Sequence, residues 1–328
     1  MRRPGVPPAV ALFLLSPAVG ELLSGSSPPA EFFNPIVFLL LASLYGSGAI
    51  LMRELMVRWR KGCASLLLLG AAYGVIEEGL MVKSFFDPGW VDLGILGSFG
   101  RWWGINWVWA EMLTFYHAVF SITIPVILVE LAYPQQKDEK WIGRRGFWGF
   151  TGLLLGVVLF GYLALTPYWP PALQYLSSIA ATVFFIYLAH RVPAGYGASG
   201  KKTLRRPWVL WLVGFSGTVS SFLLFGAGPF VISSPWLVMA LGVLIFGGFF
   251  WLLTRWEWKE ATRLHRLSVS AGLLSFFVVL APLQELDQGR ADDPSGMALV
   301  GLAFLVGLLL MAWRIRKREE EITVAVTG

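Results

Sequence analysis

The chain has 328 residues, of which 56% are hydrophobic and only 14% are charged. Soluble domains carry about 25% charged residues, so this composition excludes a water-soluble protein and favours a polytopic membrane protein. The net charge of +6 does not indicate nucleic-acid binding, because the basic residues are scattered through short loops between apolar runs instead of forming one basic domain.

The N-terminal segment resembles a secretory signal in its order of charge and hydrophobicity. Arg2 and Arg3 precede an apolar run over 9–23, as in the charged and apolar regions of a signal peptide. No A-x-A cleavage pattern follows this run. We therefore expect an uncleaved first helix, with a cleaved signal peptide as the alternative. Glu21 falls near an interface, where we expect a structural role.

Nine further apolar runs follow, each near the length of about 20 residues that a membrane-crossing helix needs. These runs are 36–57, 66–86, 106–133, 147–165, 173–189, 208–225, 236–253, 267–283 and 297–313. Proline and glycine punctuate the connections on the outer side, as is typical of turns. Together with the first helix, the runs predict an all-α polytopic integral membrane helix bundle of about ten transmembrane helices.

The distribution of basic residues predicts the orientation of the chain in the membrane. With ten helices both termini lie on one side, and of the 26 Lys and Arg residues only Lys83, Arg101 and Arg290 fall within spans or on the other side. Membrane proteins retain their lysine and arginine on the cytoplasmic side. We therefore expect cytoplasmic N- and C-termini. Composition and short loops favour a plasma membrane of the prokaryotic type, with lipid around the helices.

Ionisable residues divide the chain into two unequal halves. Residues 1–134 hold most of the charged side chains that fall inside apolar runs, and residues 135–146 form a polar cytoplasmic linker. Residues 147–328 contain six helices with almost uncharged centres. In that half, Gly152 and Gly156 have the spacing that lets helices approach closely. The pattern predicts a working N-terminal half and a scaffolding C-terminal half.

The strongest functional signal is a set of ionisable residues in the third and fourth runs and their connection. Charged groups are costly in hydrocarbon unless they are paired, hydrated or coordinated, so they mark candidate sites. The candidates for binding a substrate or an ion are Glu77, Glu78, Lys83, Asp87, Asp92, Arg101, Glu111 and His117. If the two runs form a hairpin, the rise of a helix brings the glutamates and the histidine to similar depths in one outward-opening cavity.

A divalent metal ion is the cofactor that these side chains would suit. Carboxylate and imidazole groups are common metal ligands, and the candidate ligands are Glu78, Glu111 and His117. Glu77 is about 100° from Glu78 on a regular helix, so both need not face one site. The single cysteine, Cys63, excludes a disulfide within the chain and a cysteine-based metal cluster.

The connection over 85–109 is too apolar to be a simple polar linker. It holds two aspartates and one arginine among glycine and aromatic residues. Irregular backbone at membrane depth is tolerated only where protein buries it, so we expect a re-entrant or interface-lying segment that covers the cavity. Its side chains suit a small solute or lipid-like ligand, and they suit the anchoring of a lid equally well.

The first functional hypothesis is a transporter, or a membrane binding protein, for a small solute. Glu77, Glu78 and Glu111 would exchange protons or cations during transport, and His117 would relay protons or bind. A non-catalytic subunit of a membrane complex is a further alternative, which the charge-poor second half allows; the sequence identifies no protein partner. Walker A, dinucleotide-binding and H-E-x-x-H motifs are absent, which disfavours the enzymes that carry them.

The second hypothesis is an intramembrane metal-dependent enzyme of the protease or hydrolase type. The pair Glu77-Glu78 and the later His117 resemble CAAX-type intramembrane proteases, whose pattern is E-E-x-x-x-R, then F-x-x-x-H, then a second histidine helix. The chain departs from it at Val82, where arginine is expected, and at Leu113, where phenylalanine is expected. No later run has a central histidine, so the resemblance does not assign the chain to that family.

Overall fold

The computed structural model describes residues 5–327, and the side chains up to residue 321. The described chain is almost entirely helical. Its helices are α1 (Pro8–Leu22), α2 (Pro29–Phe32), α3 (Pro35–Arg58), α4 (Cys63–Met81), α5 (Trp107–Ala132), α6 (Arg144–Ala164), α7 (Ala172–Arg191), α8 (Pro207–Val231), α9 (Pro235–Thr254), α10 (Arg263–Glu285) and α11 (Met297–Thr327). Short 3₁₀ turns lie at Val91–Gly97, Pro134–Gln136 and Trp258–Glu260.

The expected all-helical membrane architecture is confirmed. Within the described residues, nine helices, α3 to α11, are long and apolar enough to cross a membrane. The first apolar run forms α1, which at 1.5 Å per residue is only about 22 Å long and shorter than a full span. Arg2 and Arg3, which carry the signal-like charge, lie outside the described residues. The cytoplasmic placement of the termini stays a prediction.

Proline and asparagine at the helix starts explain where several of these spans begin. Pro35 opens α3, where its fixed φ suits the first turn and its missing N–H costs nothing. The Asn34 side chain accepts a hydrogen bond from the Ile36 N–H at 3.0 Å, and Asn106 does the same for the Trp109 N–H at 3.1 Å. Each cap satisfies a backbone donor that the helix leaves unpaired.

Burial falls from the N-terminal spans to the C-terminal ones. In the most apolar stretch of α4, 72% of the residues are buried inside the protein, and in the corresponding stretches of α3 and α5 the share is 61%. From α6 to α11 it does not exceed 33%. Helix α4 is therefore the centre of the bundle, while the later helices present most of their apolar surface outwards, as lipid-facing helices do.

Four of the N-terminal helices contain a π-helical turn. The turns are Ala18–Leu22 in α1, Ala42–Gly46 in α3, Ile76–Met81 in α4 and His117–Thr123 in α5. A further one, Leu223–Ala227, lies in α8. A π turn widens the helix and redirects the side chains around it, and such turns are frequent at functional sites. The sequence gives no sign of these turns, so regular helices are what it predicts.

Helices α4 and α5 approach each other closely at a glycine. A Cβ added at Gly70 would lie 2.8 Å from the Ala118 Cα, which is closer than real side chains come to a backbone. At Gly74 it would lie 3.0 Å from the His117 Cβ. The two helices form the predicted hairpin because glycine occupies these contact positions.

The connection between α4 and α5 folds onto the protein. It contains the 3₁₀ turn at Val91–Gly97 and a short β-hairpin. In the hairpin, the two-residue strands β1 (Arg101–Trp102) and β2 (Ile105–Asn106) pair antiparallel. Trp103 and Gly104 both have positive φ, of 53° and 75°, as a tight hairpin turn of this hand requires. Its buried leucines pack with residues of α4 and α5, so the segment covers the end of the hairpin from which it leaves.

Candidate functional site

Three ionisable side chains meet between α4 and α5. The His117 Nδ1 lies 3.3 Å from a Glu77 carboxylate oxygen, and its Nε2 lies 3.0 Å from a Glu78 oxygen. One potential ligand atom from each residue lies within 4.8 Å of the others, and all three residues are buried. We call this group the Glu–Glu–His triad. The imidazole lies between two carboxylates, each next to a different ring nitrogen.

The π turn explains how adjacent glutamates reach the same histidine. On a regular helix Glu77 and Glu78 would point about 100° apart. Both lie inside the turn Ile76–Met81, where the helix is wider and the angle per residue is smaller. His117 opens the facing π turn of α5. The sequence left open whether the two glutamates share a site, and in the structure they do.

Hydrogen bonds hold the triad from the outside. The Ser121 hydroxyl lies 2.9 Å from the His117 Nδ1. Ser84 donates a hydrogen bond to Glu78 and accepts one from the Trp109 Nε1–H at 3.0 Å. On a continuous regular helix Tyr73, Glu77 and Ser84 would lie on one face, but α4 ends at Met81, and Ser84 contacts the neighbouring glutamate instead.

Glu21, which was expected near an interface, and Tyr45 belong to this site. Tyr45 donates a hydrogen bond to Glu21, which also accepts one from Ser27 at 3.1 Å. The Tyr45 ring lies 6.0 Å from the His117 ring, centroid to centroid. Tyr45 therefore connects Glu21 to the triad. The signal that could have revealed Glu21 was a carboxylate at the end of an otherwise apolar run.

The site has more negative groups than positive ones. It contains three carboxylates and one imidazole, and among the described residues no lysine or arginine forms an ion pair with them. Near the predicted cytoplasmic end, by contrast, buried Arg53 pairs with Glu54 and Glu130. Charge in a membrane interior requires compensation, so the site calls for a bound cation or for added protons.

Two buried polar atoms of the site form no hydrogen bond within the described part of the chain. They are the hydroxyl of Tyr73 and the Glu77 Oε2, the oxygen that lies 3.3 Å from the His117 Nδ1 without hydrogen-bond geometry. The Tyr73 ring packs 6.0 Å from the His117 ring, so both atoms belong to the same cluster. Buried polar groups are rarely left unpaired in native proteins. An ion or a water molecule bound at this point would satisfy them.

Glu111 does not join the triad. Its Oε1 is buried, forms no hydrogen bond with any residue that the structure describes, and lies against Gly242 of α9, next to Phe225. It precedes His117 by six residues, which is about 120° around a regular helix. The expected ligand set of Glu78, Glu111 and His117 is therefore corrected. In the structure, Glu77 takes the place that was expected for Glu111.

Two further candidates, Lys83 and Arg101, lie in the connection and donate hydrogen bonds to backbone carbonyl oxygens. The Lys83 Nζ donates to the carbonyl oxygens of Tyr162 and Thr166. Arg101 donates to the carbonyl oxygen of Phe86 at 2.7 Å, and to two more in the same connection. These cations therefore do not neutralise the triad.

The two aspartates of the connection are also separate from the triad. Asp87 accepts a hydrogen bond from the Gly89 N–H at 2.8 Å, which closes a turn. Asp92 is an exposed residue of the 3₁₀ turn. Its pKa is raised, first by partial burial of the carboxyl group and second by the negative charge of Glu78. Neither aspartate reaches the ligand atoms of the Glu–Glu–His triad.

The comparisons with known proteins place the chain at the level of a family. Residues 10–325 match the family described as "Uncharacterized membrane protein family". Neither the comparison with curated proteins nor that with solved structures found a match. The family match covers almost the whole chain and agrees with the multi-pass helical fold. The chain thus belongs to this uncharacterized membrane protein family.

Proposed function

We propose that the protein binds a divalent metal ion at the Glu–Glu–His triad and uses it to hydrolyse a bond of a substrate within the membrane. The observation that carries this proposal is the buried convergence of Glu77, Glu78 and His117, with which no lysine or arginine of the described residues forms an ion pair. A divalent ion would supply positive charge. It would also provide a partner for the Glu77 Oε2, which forms no hydrogen bond with a described residue.

The donor set fits a catalytic metal better than a structural one. Imidazole nitrogen and carboxylate oxygen bind zinc and related transition metals. Catalytic zinc sites typically have three protein ligands and keep one position for water, whereas structural sites are closed by four. A bound ion of this kind supplies an acidified water and polarises a carbonyl group.

The chain's own residues supply the remaining functions. Ser84 and Ser121 orient Glu78 and His117, which fixes the directions of their ligand atoms. Glu21, held by Tyr45, is the further carboxylate of the site and would act as the general base. In the hydrolysis of an amide or ester, the water oxygen would join the carbonyl carbon, and Glu21 would take the proton of the water and return it to the leaving atom as the bond to that atom breaks.

The test is the metal content of detergent-purified protein, measured by inductively coupled plasma mass spectrometry. We expect about one zinc, manganese or iron ion per chain. Glu77→Gln, Glu78→Gln and His117→Ala each remove a ligand and should lose the ion. Glu31→Gln, in the exposed glutamate of α2, is the control and should retain it. A wild type without metal after loading, or triad variants that retain it, would contradict the proposal.

A second candidate is a proton-coupled transporter, and Glu111 is the observation that favours it. This carboxylate has a buried unpartnered oxygen at the contact of α5 with α9, separate from the triad. Two separate protonatable sites in one bundle are typical of a proton pathway. Proton flux into proteoliposomes that is abolished by Glu111→Gln, with metal content unchanged, would support transport. Flux that is equal in wild type and Glu111→Gln would exclude this role.

A further inference from the structure

Lys83 lies directly after the helix that carries the two glutamates. Helix α4 ends at Met81, and the Lys83 backbone has a φ of 63°, a left-handed conformation that is costly for residues other than glycine, asparagine and aspartate. The residue is fully buried, with 0% exposure. A buried lysine in a strained backbone conformation requires strong compensation from its surroundings.

That compensation comes from the end of α6. The Lys83 Nζ donates to the Tyr162 carbonyl oxygen at 2.7 Å and to the Thr166 carbonyl oxygen at 3.1 Å. It also lies 4.8 Å from the centroid of the Tyr162 ring and 5.6 Å from that of Trp169. The last carbonyls of a helix lack partners and carry partial negative charge, so an ammonium group there is favourable.

Further contacts hold the π turn of α4 from the side of α6 and α7. The Tyr175 hydroxyl of α7 donates to the Leu80 carbonyl oxygen at 3.1 Å. A Cβ added at Gly79 would lie 2.7 Å from the Ser178 Oγ, so α7 rests directly against the turn. With Lys83, these contacts fix the part of α4 that directs Glu77 and Glu78 at His117.

We infer that Lys83 is a positioning residue for the Glu–Glu–His triad. Its side chain fastens the chain immediately after the π turn to the end of α6, which keeps both glutamates directed at one point. Glycine at this position would adopt the same backbone without cost, so the lysine is explained by its hydrogen bonds. This inference rests on the proposed metal site and adds to it a residue that contacts neither ligand nor ion.

The test is the zinc affinity of full-length detergent-purified protein, measured by competition with a chromophoric chelator. Lys83→Met keeps the length of the side chain and removes the donors. Lys83→Gly removes the donors and relieves the backbone strain. Both should bind zinc about 10- to 100-fold more weakly than wild type, as removal of outer supports does in metal sites. Lys83→Arg keeps charge and donors and should retain most of the affinity.

Lys61 offers a matched control. Its Nζ donates to the Val192 carbonyl oxygen at 2.6 Å, just beyond the last residue of α7, and it lies at the other end of α4 from the triad. Lys61→Met thus removes a comparable lysine–carbonyl bond. We expect a lower melting temperature and unchanged zinc affinity for this variant, which separates positioning from a general loss of stability.

Each outcome decides the inference. Weaker zinc binding in both Lys83→Met and Lys83→Gly, but not in Lys61→Met, would support it. Wild-type affinity in Lys83→Gly, or an equal loss of affinity in Lys61→Met, would overturn it while leaving the metal site in place. If Lys83→Met does not fold, Lys83→Gly and Tyr175→Phe test the same support. A wild type that binds none of zinc, manganese and iron would overturn both the inference and the proposed function.

Discussion

At the scale of single residues, the site is defined by an imidazole between two carboxylates. Both ring nitrogens of His117 face glutamate oxygens, so an ion bound there would replace short contacts among the three side chains with contacts to the metal. The three residues were predictable because charged side chains stand out in apolar runs. Tyr45 and Tyr73 were not, because a tyrosine in such a run is as often an ordinary packing residue.

Tyr45→Phe should destabilise the protein without emptying the metal site. The change removes the hydrogen bond that Tyr45 donates to the partly buried Glu21. An acceptor that loses its partner at a buried site costs about 1–3 kcal/mol. We expect a lower melting temperature in detergent, followed by tryptophan fluorescence, and an unchanged metal content. Tyr187→Phe, in an exposed tyrosine of α7, is the control. Equal melting temperatures for the two variants would show that the Tyr45–Glu21 bond contributes nothing.

At the scale of helices, π turns and glycine contacts determine which side chains meet. The sequence predicted the hairpin of α4 and α5 because length and hydropathy determine spans. It did not predict the π turns, because a π turn interrupts the 3.6-residue period on which the prediction rests. The directions in which the Glu78 and Glu111 side chains point were therefore not predicted correctly. The spacing of Gly152 and Gly156 predicted a close helix contact, but a Cβ added at either residue would have no described atom within 4 Å. These glycines therefore do not mediate packing between the described helices of this chain.

Alanine at two glycines should change stability in opposite directions. Gly70→Ala introduces a methyl group that would lie 2.8 Å from the Ala118 Cα, and such overpacking typically costs about 1–3 kcal/mol. Gly156→Ala meets nothing within 4 Å and replaces the flexible residue inside a helix, a gain of up to about 1 kcal/mol. Melting temperatures in detergent should fall for Gly70→Ala and hold or rise for Gly156→Ala. A fall of equal size in both would contradict the close contact of α4 and α5.

At the scale of the whole molecule, a buried N-terminal group of helices is flanked by helices that are mostly exposed within the chain. The division at 135–146 into a working half and a scaffold stays a prediction. Support for the π turn crosses this division. Tyr162 of α6 accepts a hydrogen bond from Lys83, just after the turn, and Tyr175 of α7 donates one to Leu80 within it. Hydropathy revealed the spans but not this dependence, since contacts between distant segments leave no local pattern.

The orientation predicted from basic residues can be tested by thiol labelling of intact cells. The native Cys63, exposed at the start of α4, should face the cytoplasm and resist a membrane-impermeant maleimide until the cells are opened. Ser295→Cys in a Cys63→Ser background, in the exposed connection before α11, should react in intact cells. Reaction of Cys63 from outside would reverse the predicted topology.

The central claim is that Glu77, Glu78 and His117 together bind one divalent ion, and the most direct measurement is X-ray absorption at the zinc edge of the loaded protein. We predict one imidazole nitrogen and carboxylate oxygens at about 2.0–2.2 Å. The imidazole signal should disappear in His117→Ala and persist in Glu31→Gln. A spectrum of fully hydrated zinc, or an imidazole signal that survives His117→Ala, would contradict the account.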